Sequence, residues 1–258
     1  MSQRKLAIIT ILVIISFFCA GRLFLSFDVD KSVSYGDRRT PSFVGSRIVP
    51  ADGEIAPASF LPTQSKNSDE LGLGKLLVAS RGLADPAFAK TVVLLVQYDA
   101  HGVVGLMINR RTNVPLSRVF NQLKAAKNIS DPVYAGGPVD MPIVFALLRS
   151  PSNIEGAQPV VGGIYLISAK SQFEHILSKR PDPATFHVYL GYAGWTPDQL
   201  RQEVKLGAWF IFPGDAKTVF NANPDSLWSE MIRQTELKMA KGGLAHLQRV
   251  AATPTGFF

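Results

Sequence analysis

An uncharged stretch near the N-terminus constrains this chain more than any other feature of its sequence. It runs from Leu6 to Gly21 as LAIITILVIISFFCAG, 16 residues without a charge. A helix of that length spans about 24 Å, and extending it past Arg22 to Phe27 gives 22 residues and about 33 Å, enough for a hydrocarbon core of about 30 Å. Because no polar residues alternate with the apolar ones, we predict a transmembrane helix over residues 6–27 that contacts the lipid bilayer.

The flanks of this stretch allow two fates. Arg4 and Lys5 precede it and favour a cytoplasmic N-terminus, which predicts a single-pass membrane protein with its remaining chain outside. The alternative is a cleaved signal peptide, with Cys19 and Gly21 as the small residues before the cut and a secreted product. Cys19 is the chain's single cysteine, so no disulfide or cysteine-based site is expected in the part that follows.

Composition divides the rest of the chain into segments. Residues 28–69 contain scattered Pro, Ser and Gly without a helical or alternating period, and we predict a flexible linker there. Residues 70–250 have the texture of a packed domain, and 251–258 are predicted to be a disordered tail. The net charge of +7 is spread over the whole chain. No basic recognition helix is visible, so there is no strong signal for nucleic-acid binding.

Strand patterns dominate the first part of the domain. Thr91–Tyr98 (TVVLLVQY) is β-branched and apolar, as a strand buried on both faces requires, and Val103–Asn109 has the same character. Turn-forming residues 99–102 separate the two, which predicts a β-hairpin. Further strands are expected over 73–80, 143–148, 160–167, 187–191 and 208–212.

Helix signals lie between these strands. The best is Thr196-Pro197-Asp198-Gln199, where Thr196 can cap a helix that ends at Gly207. Ser171 and Glu174 form a capping-box pair for a second helix. An apolar face predicts another helix within 113–123, and a last one is expected to run from about Asp225 to Gly242-Gly243. Strands and helices do not alternate regularly, so the pattern favours a single α+β domain over a doubly wound sheet.

Several short segments stand out in order along the domain. They are GKLLVA at 74–79 with DPAF at 85–88 and GLMINR at 105–110; YAGGPV at 134–139; GYAGW at 191–195 with TPDQL at 196–200; and GAWF at 207–210. Together they resemble the AlgH/YqgE family of bacterial proteins over about 70–250.

This resemblance implies a compact fold with a mostly antiparallel, bifurcated sheet that curls toward a pseudo-barrel and carries flanking helices. The family takes its name from a proposed role in regulating alginate synthesis. It brings no established catalytic residue and no cofactor. We therefore expect a membrane-tethered binding or regulatory module that acts on gene expression or envelope processes. A transcriptional regulator that binds DNA indirectly is an alternative.

The glycine-rich segments provide the candidate ligand-binding residues. Gly136 and Gly137 permit a tight turn or a close backbone approach, and exposed amides there could form an anion nest. Tyr192, Gly194 and Trp195 precede a well-capped helix, where the two aromatic rings could wall an apolar cleft. The competing interpretation is that all five residues pack the core. The partner would be an unidentified protein or small molecule.

A hydrolase or transferase with a polar cleft is the alternative function. Its candidate residues are Asp85, His101, Asp140 and Ser168, although their spacing does not require them to converge. Asp85 before a proline is expected in a turn, His101 in a solvated hairpin tip, and Asn109 is expected to pin a turn. The four histidines have no metal-ligand spacing, and no metal is predicted.

Overall fold

The computed structural model describes residues 25–26, 70–83 and 85–236. The strands are β1 (Leu25–Ser26), β2 (Lys75–Ala79), β3 (Val92–Asp99), β4 (Gly102–Met107), β5 (Arg111–Pro115), β6 (Pro132–Ala135), β7 (Val139–Arg149), β8 (Gln158–Val161), β9 (Ile164–Ile167), β10 (Phe186–Trp195) and β11 (Trp209–Pro213). The helices are α1 (Leu116–Val119), α2 (Lys170–Ser178), α3 (Pro197–Lys205), α4 (Ala216–Val219) and α5, described over 224–236.

The sheet runs β11-β2-β3-β4-β10-β7-β9-β8 and branches at β10. One edge of β10 pairs with β7, while the other pairs first with β6, in parallel, and then with β4 through residues 193–195. Of the three pairings of β10, the one with β6 is parallel and the other two are antiparallel. The domain is therefore α+β with a mostly antiparallel, curled sheet and flanking helices, as predicted.

The β3–β4 hairpin forms where the sequence predicts it. Residues 92–96 of β3 and all of β4 are buried, which accounts for their continuous apolar character. At the tip the Asp99 carboxylate accepts a hydrogen bond of 2.8 Å from the His101 N–H, the local bond that favours Asp in turns.

Two hydrophobic clusters lie on opposite faces of the central strands. In β7, Phe145 and Leu147 belong to the larger cluster, whereas Val144 and Ala146 belong to the smaller one beneath α1 and α2. This is the two-residue alternation of a strand covered on both faces. β7 and β10 therefore occupy the middle of the domain.

The helices confirm some of the predicted signals and contradict others. Thr196 caps α3, because its hydroxyl accepts a 3.1 Å bond from the Gln199 N–H. The predicted Ser171–Glu174 capping box is wrong: α2 begins at Lys170, and its N-cap residue Ala169 has no side-chain cap bond. The helix predicted within 113–123 shortens to α1, because β5 takes up the residues before it.

Strand boundaries also differ from the sequence prediction. The single strand predicted over 160–167 is two strands, β8 and β9, which fold back on each other at Gly162 and Gly163. Both glycines have positive φ, +53° and +77°, which permits the reversal. Strand β5 was not predicted, because its short sequence contains a proline and several polar residues.

The predicted membrane anchor lies mostly outside the described residues. Leu25 and Ser26 are described, and they form strand β1, which pairs with Val144 and Ile143 of β7. A helix that continues through these two positions to Phe27 is therefore wrong. Of the helices within the described ranges, none combines the length and apolar character that crossing a bilayer requires.

Candidate functional site

Gly136 and Gly137 join β6 to β7 at the branch point of the sheet. The Gly136 N–H donates to the Leu190 carbonyl at 2.7 Å, and its own carbonyl accepts from the Met107 N–H at 2.8 Å. Gly136 therefore bridges β10 and β4 through its backbone, and its amide is not free to contribute to an anion nest.

Close backbone approach explains why both positions are glycine. A Cβ at Gly136 would overlap the Gly191 carbonyl oxygen, and one at Gly137 would overlap the backbone of Tyr192. Gly191 itself has a φ of +69°, and a Cβ there would lie 2.8 Å from the carbonyl oxygens of Gly137 and Val139. Three glycines thus let the 136–138 loop pack directly on β10, where the β7–β10 register shifts.

Tyr192 and Gly194 lie on one face of β10. The Tyr192 ring meets Phe145 edge-on, with centroids 6.1 Å apart, and a Cβ at Gly194 would lie 3.2 Å from that ring. Burial, together with the nearby negative charge of Asp140, raises the pKa of the Tyr192 phenol to about 12. Tyr192 therefore stays a neutral hydrogen-bonding group across the physiological pH range.

Trp195 faces a different environment from Tyr192, because residues three apart in a strand point to opposite faces. Its ring packs near Phe88 and Trp209, with centroid distances of 5.7 Å and 6.1 Å. The indole N–H groups of Trp195 and Trp209 both donate to Oε2 of Glu203, at 3.1 Å and 2.8 Å. The structure thus brings together Gly136, Gly137, Tyr192 and Gly194, and places Trp195 in a separate aromatic cluster.

The edge of β7 that faces away from β10 lies beside this group. On the side away from β10, β9 pairs with residues 146–149 only, because the chain leaves the sheet after Ile167 to begin α2. Closer to the start of β7 on that side, Ile143 and Val144 pair with β1. Beyond them, Pro142 and the positive-φ Asp140 (φ +44°) interrupt the regular strand.

A family model described as AlgH-like matches residues 76–240, more than half of the chain of 258 residues. The chain belongs to the AlgH-like family.

Curated relatives of this AlgH-like protein have similar domains. A UPF0301 protein of Streptomyces avermitilis is 33% identical over 173 residues, which cover 65% of this chain and 88% of the relative. A UPF0301 protein of Chlorobium phaeobacteroides is 29% identical over 187 residues, 72% of this chain and 94% of the relative. A crystal structure from Corynebacterium diphtheriae shares the fold, with a TM-score of 0.55 and 20% identity over 64% of this chain and 87% of that one.

Several segments that resemble the family pack against one another in this AlgH-like domain. Phe88 of the DPAF segment lies between Trp195 and Trp209, which come from the GYAGW and GAWF segments. Asn109 pins the loop before β3: its Oδ1 accepts from the Val92 N–H at 2.8 Å and its Nδ2 donates to the Lys90 carbonyl at 3.0 Å. These residues therefore build the scaffold, and the predicted turn role of Asn109 is confirmed.

The residues of the hydrolase alternative are scattered in the AlgH-like domain. Asp85 holds its own turn by accepting from the Ala87 N–H at 2.9 Å, and His101 is exposed at the β3–β4 tip. Asp140 is exposed at the start of β7, and Ser168 follows β9. Across 70–83 and 85–236, no hydrogen bond or ion pair joins any two of these four side chains. No cluster of His, Cys, Asp or Glu that could hold a metal occurs within the same ranges.

A cleft of about 520 Å³ lies beside α2, away from the predicted residues. Its apolar lining comes from Leu148, Ile154, Ile176 and Pro181, and its polar lining from Asn153, Glu155, Gln172, His175 and Lys179. The Gln172 amide nitrogen donates to the Glu155 carbonyl at 2.5 Å, whereas its Oε1 is buried without a hydrogen-bond partner. Sequence reasoning missed this cleft, because its two walls meet only in the folded chain.

A second feature missed from sequence is the aromatic group around His187. Its imidazole stacks on Tyr134 with centroids 4.6 Å apart and meets Phe220 at 4.9 Å. Burial, with a smaller contribution from the positive charge of Arg111, lowers the pKa of His187 to about 4, although a hydrogen bond with the Pro183 backbone opposes the shift. His187 is therefore a neutral packing residue at physiological pH.

Proposed function

We propose that this AlgH-like protein is a membrane-tethered binding module whose cleft beside α2 takes a short peptide segment of a partner protein. The observation that carries the proposal is the buried, unpartnered Gln172 Oε1 at a cleft of about 520 Å³. That volume lies in the range of ligand pockets, and mixed apolar and polar lining is typical of them.

The lining indicates what kind of ligand fits. A buried acceptor without a partner carries a free-energy cost, which a ligand that supplies an N–H donor would relieve after a small rotation of the Gln172 amide. Peptide groups supply such donors together with carbonyl acceptors for Lys179 and the Asn153 amide. Ile154 and Ile176 offer apolar contact to a neighbouring side chain. A peptide segment therefore fits this lining better than a purely ionic ligand does.

The apolar sequence before β1 supports the tether. If the span ends where β1 begins, residues 6–24 provide 19 positions, and a helix of that length covers about 28 Å of a hydrocarbon core of about 30 Å. A reporter fused to the C-terminus tests this part of the proposal. We expect an external, membrane-retained reporter; a soluble external form would indicate cleavage, and a cytoplasmic reporter would reverse the topology.

Binding is tested with a defined probe set, N-acetyl dipeptide amides, added to the isotope-labelled full chain. We expect millimolar binding and amide shift changes centred on Gln172, His175 and Ile176. Ile176→Arg should abolish these changes, because its side chain fills the apolar part of the cleft. Gln172→Met should weaken binding by about fivefold, equivalent to about 1 kcal/mol for one lost hydrogen bond.

The matched control places the same arginine on the same helix outside the cleft. Ser171 is exposed and does not line the cleft, so Ser171→Arg should bind the probes as the wild type does. Shift changes that map elsewhere, or that survive Ile176→Arg, would contradict the proposed cleft. An unchanged spectrum with every probe would contradict it as well.

A further inference from the structure

A gap in the pairing of β7 is filled by the chain's own N-terminal region. β7 has 11 residues, and β9 has four, which cover only its last part. Val144 pairs with Leu190 of β10 on one side and with Leu25 of β1 on the other. Because β1 runs antiparallel to β7, as β9 does, β1 continues the line of β9 along the same edge.

The ends of this gap restrict what can occupy it. At one end Ile167 closes the β9 pairing at Ala146. At the other end Pro142 lacks an N–H, and Asp140 has a positive φ of 44°, so regular pairing cannot extend far in that direction. Proline and an exposed charge are also devices that protect sheet edges from indiscriminate pairing. The gap therefore suits a short extended segment, and two residues of this chain occupy it.

We infer that the edge of β7 at Ile143 and Val144 is a strand-acceptor site that Leu25–Ser26 occupies in cis. The pairing is short, and each backbone hydrogen bond contributes little net stability because it replaces a bond to water. What favours the cis strand is its covalent link to the domain, which makes its binding intramolecular. A free peptide that contains the β1 sequence can occupy the same edge when β1 leaves it. This is recognition by strand addition, in which backbone bonds supply the affinity.

Occupation of this edge also sets how many residues of chain separate residue 24 from its first attachment to the domain. With β1 docked, the domain is held at residue 25; with β1 released, 43 further residues, 27–69, separate Ser26 from the start of the domain. A segment that displaces β1 therefore extends the domain's reach. Because the coupling is reciprocal, any force or binding event that detaches residue 25 from the domain also exposes the edge of β7.

The test uses the full chain and measures amide hydrogen exchange in β7. The double variant Leu25→Pro with Ser26→Pro removes both backbone N–H donors of β1. Whichever of the two N–H groups points at β7, its hydrogen bond is lost. The Arg149 N–H donates to the Thr185 carbonyl on the β10 side, and alternation along β7 therefore directs the Ile143 and Phe145 amides to β10 and the Val144 amide to β1. We expect exchange of the Val144 amide to become at least tenfold faster, while the amides of Leu94 and Leu106 in the β3–β4 hairpin keep their protection. The matched control is Leu25→Val with Ser26→Val, which keeps both donors and should leave exchange at Val144 slow.

A synthetic peptide with the sequence of residues 21–30 then serves as the competitor. It should restore protection of the Val144 amide in the proline variant, and it should displace β1 from the wild type only at a concentration at least tenfold higher. Equal exchange in the proline and valine variants would overturn the inference. So would failure of the peptide to restore protection, an equal effect on both proteins, or protection that depends on protein concentration, which indicates pairing between copies.

Discussion

Gly137 lies so close to the backbone of Tyr192 that no Cβ fits between them. An added methyl group would overlap the carbonyl carbon and oxygen of Tyr192 and the amide nitrogen of Ala193. None of these atoms can move without shifting β10, the strand on which the sheet branches. The glycine is therefore required by tertiary packing, since Gly137 does not have a positive φ.

This contact predicts that Gly137→Ala destabilises the domain by about 3 kcal/mol, the upper part of the range for overpacked sites. Chemical denaturation measures the loss. Gly82→Ala is the matched control, because an added Cβ at Gly82 meets nothing within 4 Å. It should leave stability within about 1 kcal/mol of the wild type, in the stabilising direction. Equal losses in the two variants would contradict the packing explanation.

The shared carboxylate of Glu203 gives a second prediction. Glu203→Ala leaves the buried indole N–H groups of Trp195 and Trp209 without their acceptor and should cost about 2 kcal/mol. Glu203→Gln keeps an acceptor oxygen and should cost less. Thermal unfolding followed by tryptophan fluorescence measures both changes. Glu230→Ala, at an exposed carboxylate on α5, is the control and should change the unfolding midpoint little.

Asn109 gives a third prediction, which tests a buried amide with two backbone partners. Asn109→Asp keeps the shape and the acceptor for the Val92 N–H, but it removes the donor to the Lys90 carbonyl and places a negative charge beside that oxygen. We expect a loss of about 3 kcal/mol at neutral pH. The same substitution at exposed Asn153 should be nearly neutral. The urea concentrations at the unfolding midpoints of the two variants measure this difference in stability.

The lowered pKa of His187 predicts how stability depends on pH. Folding favours the neutral imidazole, because the pKa falls from 6.5 in the unfolded chain to about 4 in the domain. Between these values the unfolded chain binds more protons, so the free energy of unfolding decreases as the pH falls from 6.5 to about 4. The loss approaches about 3 kcal/mol, and this group contributes no further loss below that window.

Urea titrations at several pH values measure this dependence. His187→Gln should flatten the stability profile between pH 6.5 and about 4, whatever its effect on stability at neutral pH. His101→Gln is the control, because His101 is exposed at a hairpin tip and should leave the profile unchanged. If the pH dependence of stability seen in the wild type persists in the His187 variant, another titratable group causes it.

Local sequence signals predicted the elements whose bonds are themselves local. The hairpin between β3 and β4 and the cap of α3 both depend on partners within three residues, Asp99 with His101 and Thr196 with Gln199. The motifs and their order along the chain were enough to suggest the AlgH-like family, which the family model confirms. Alternation and apolar runs also located most strands, because burial on one or both faces leaves a pattern that can be counted.

Tertiary structure decided the rest, because the deciding contacts join residues far apart in the chain. Gly137 and Tyr192 meet through the pairing of β7 with β10. The pleat of β10 places Trp195 on the opposite face from Tyr192, where it packs near Trp209 of a later strand. The α2 cleft likewise needs a helix and a distant loop, Gln172 against Glu155. The hydrophobic pattern of the sequence indicates which residues are buried, but only the assembled sheet determines which of them share a face.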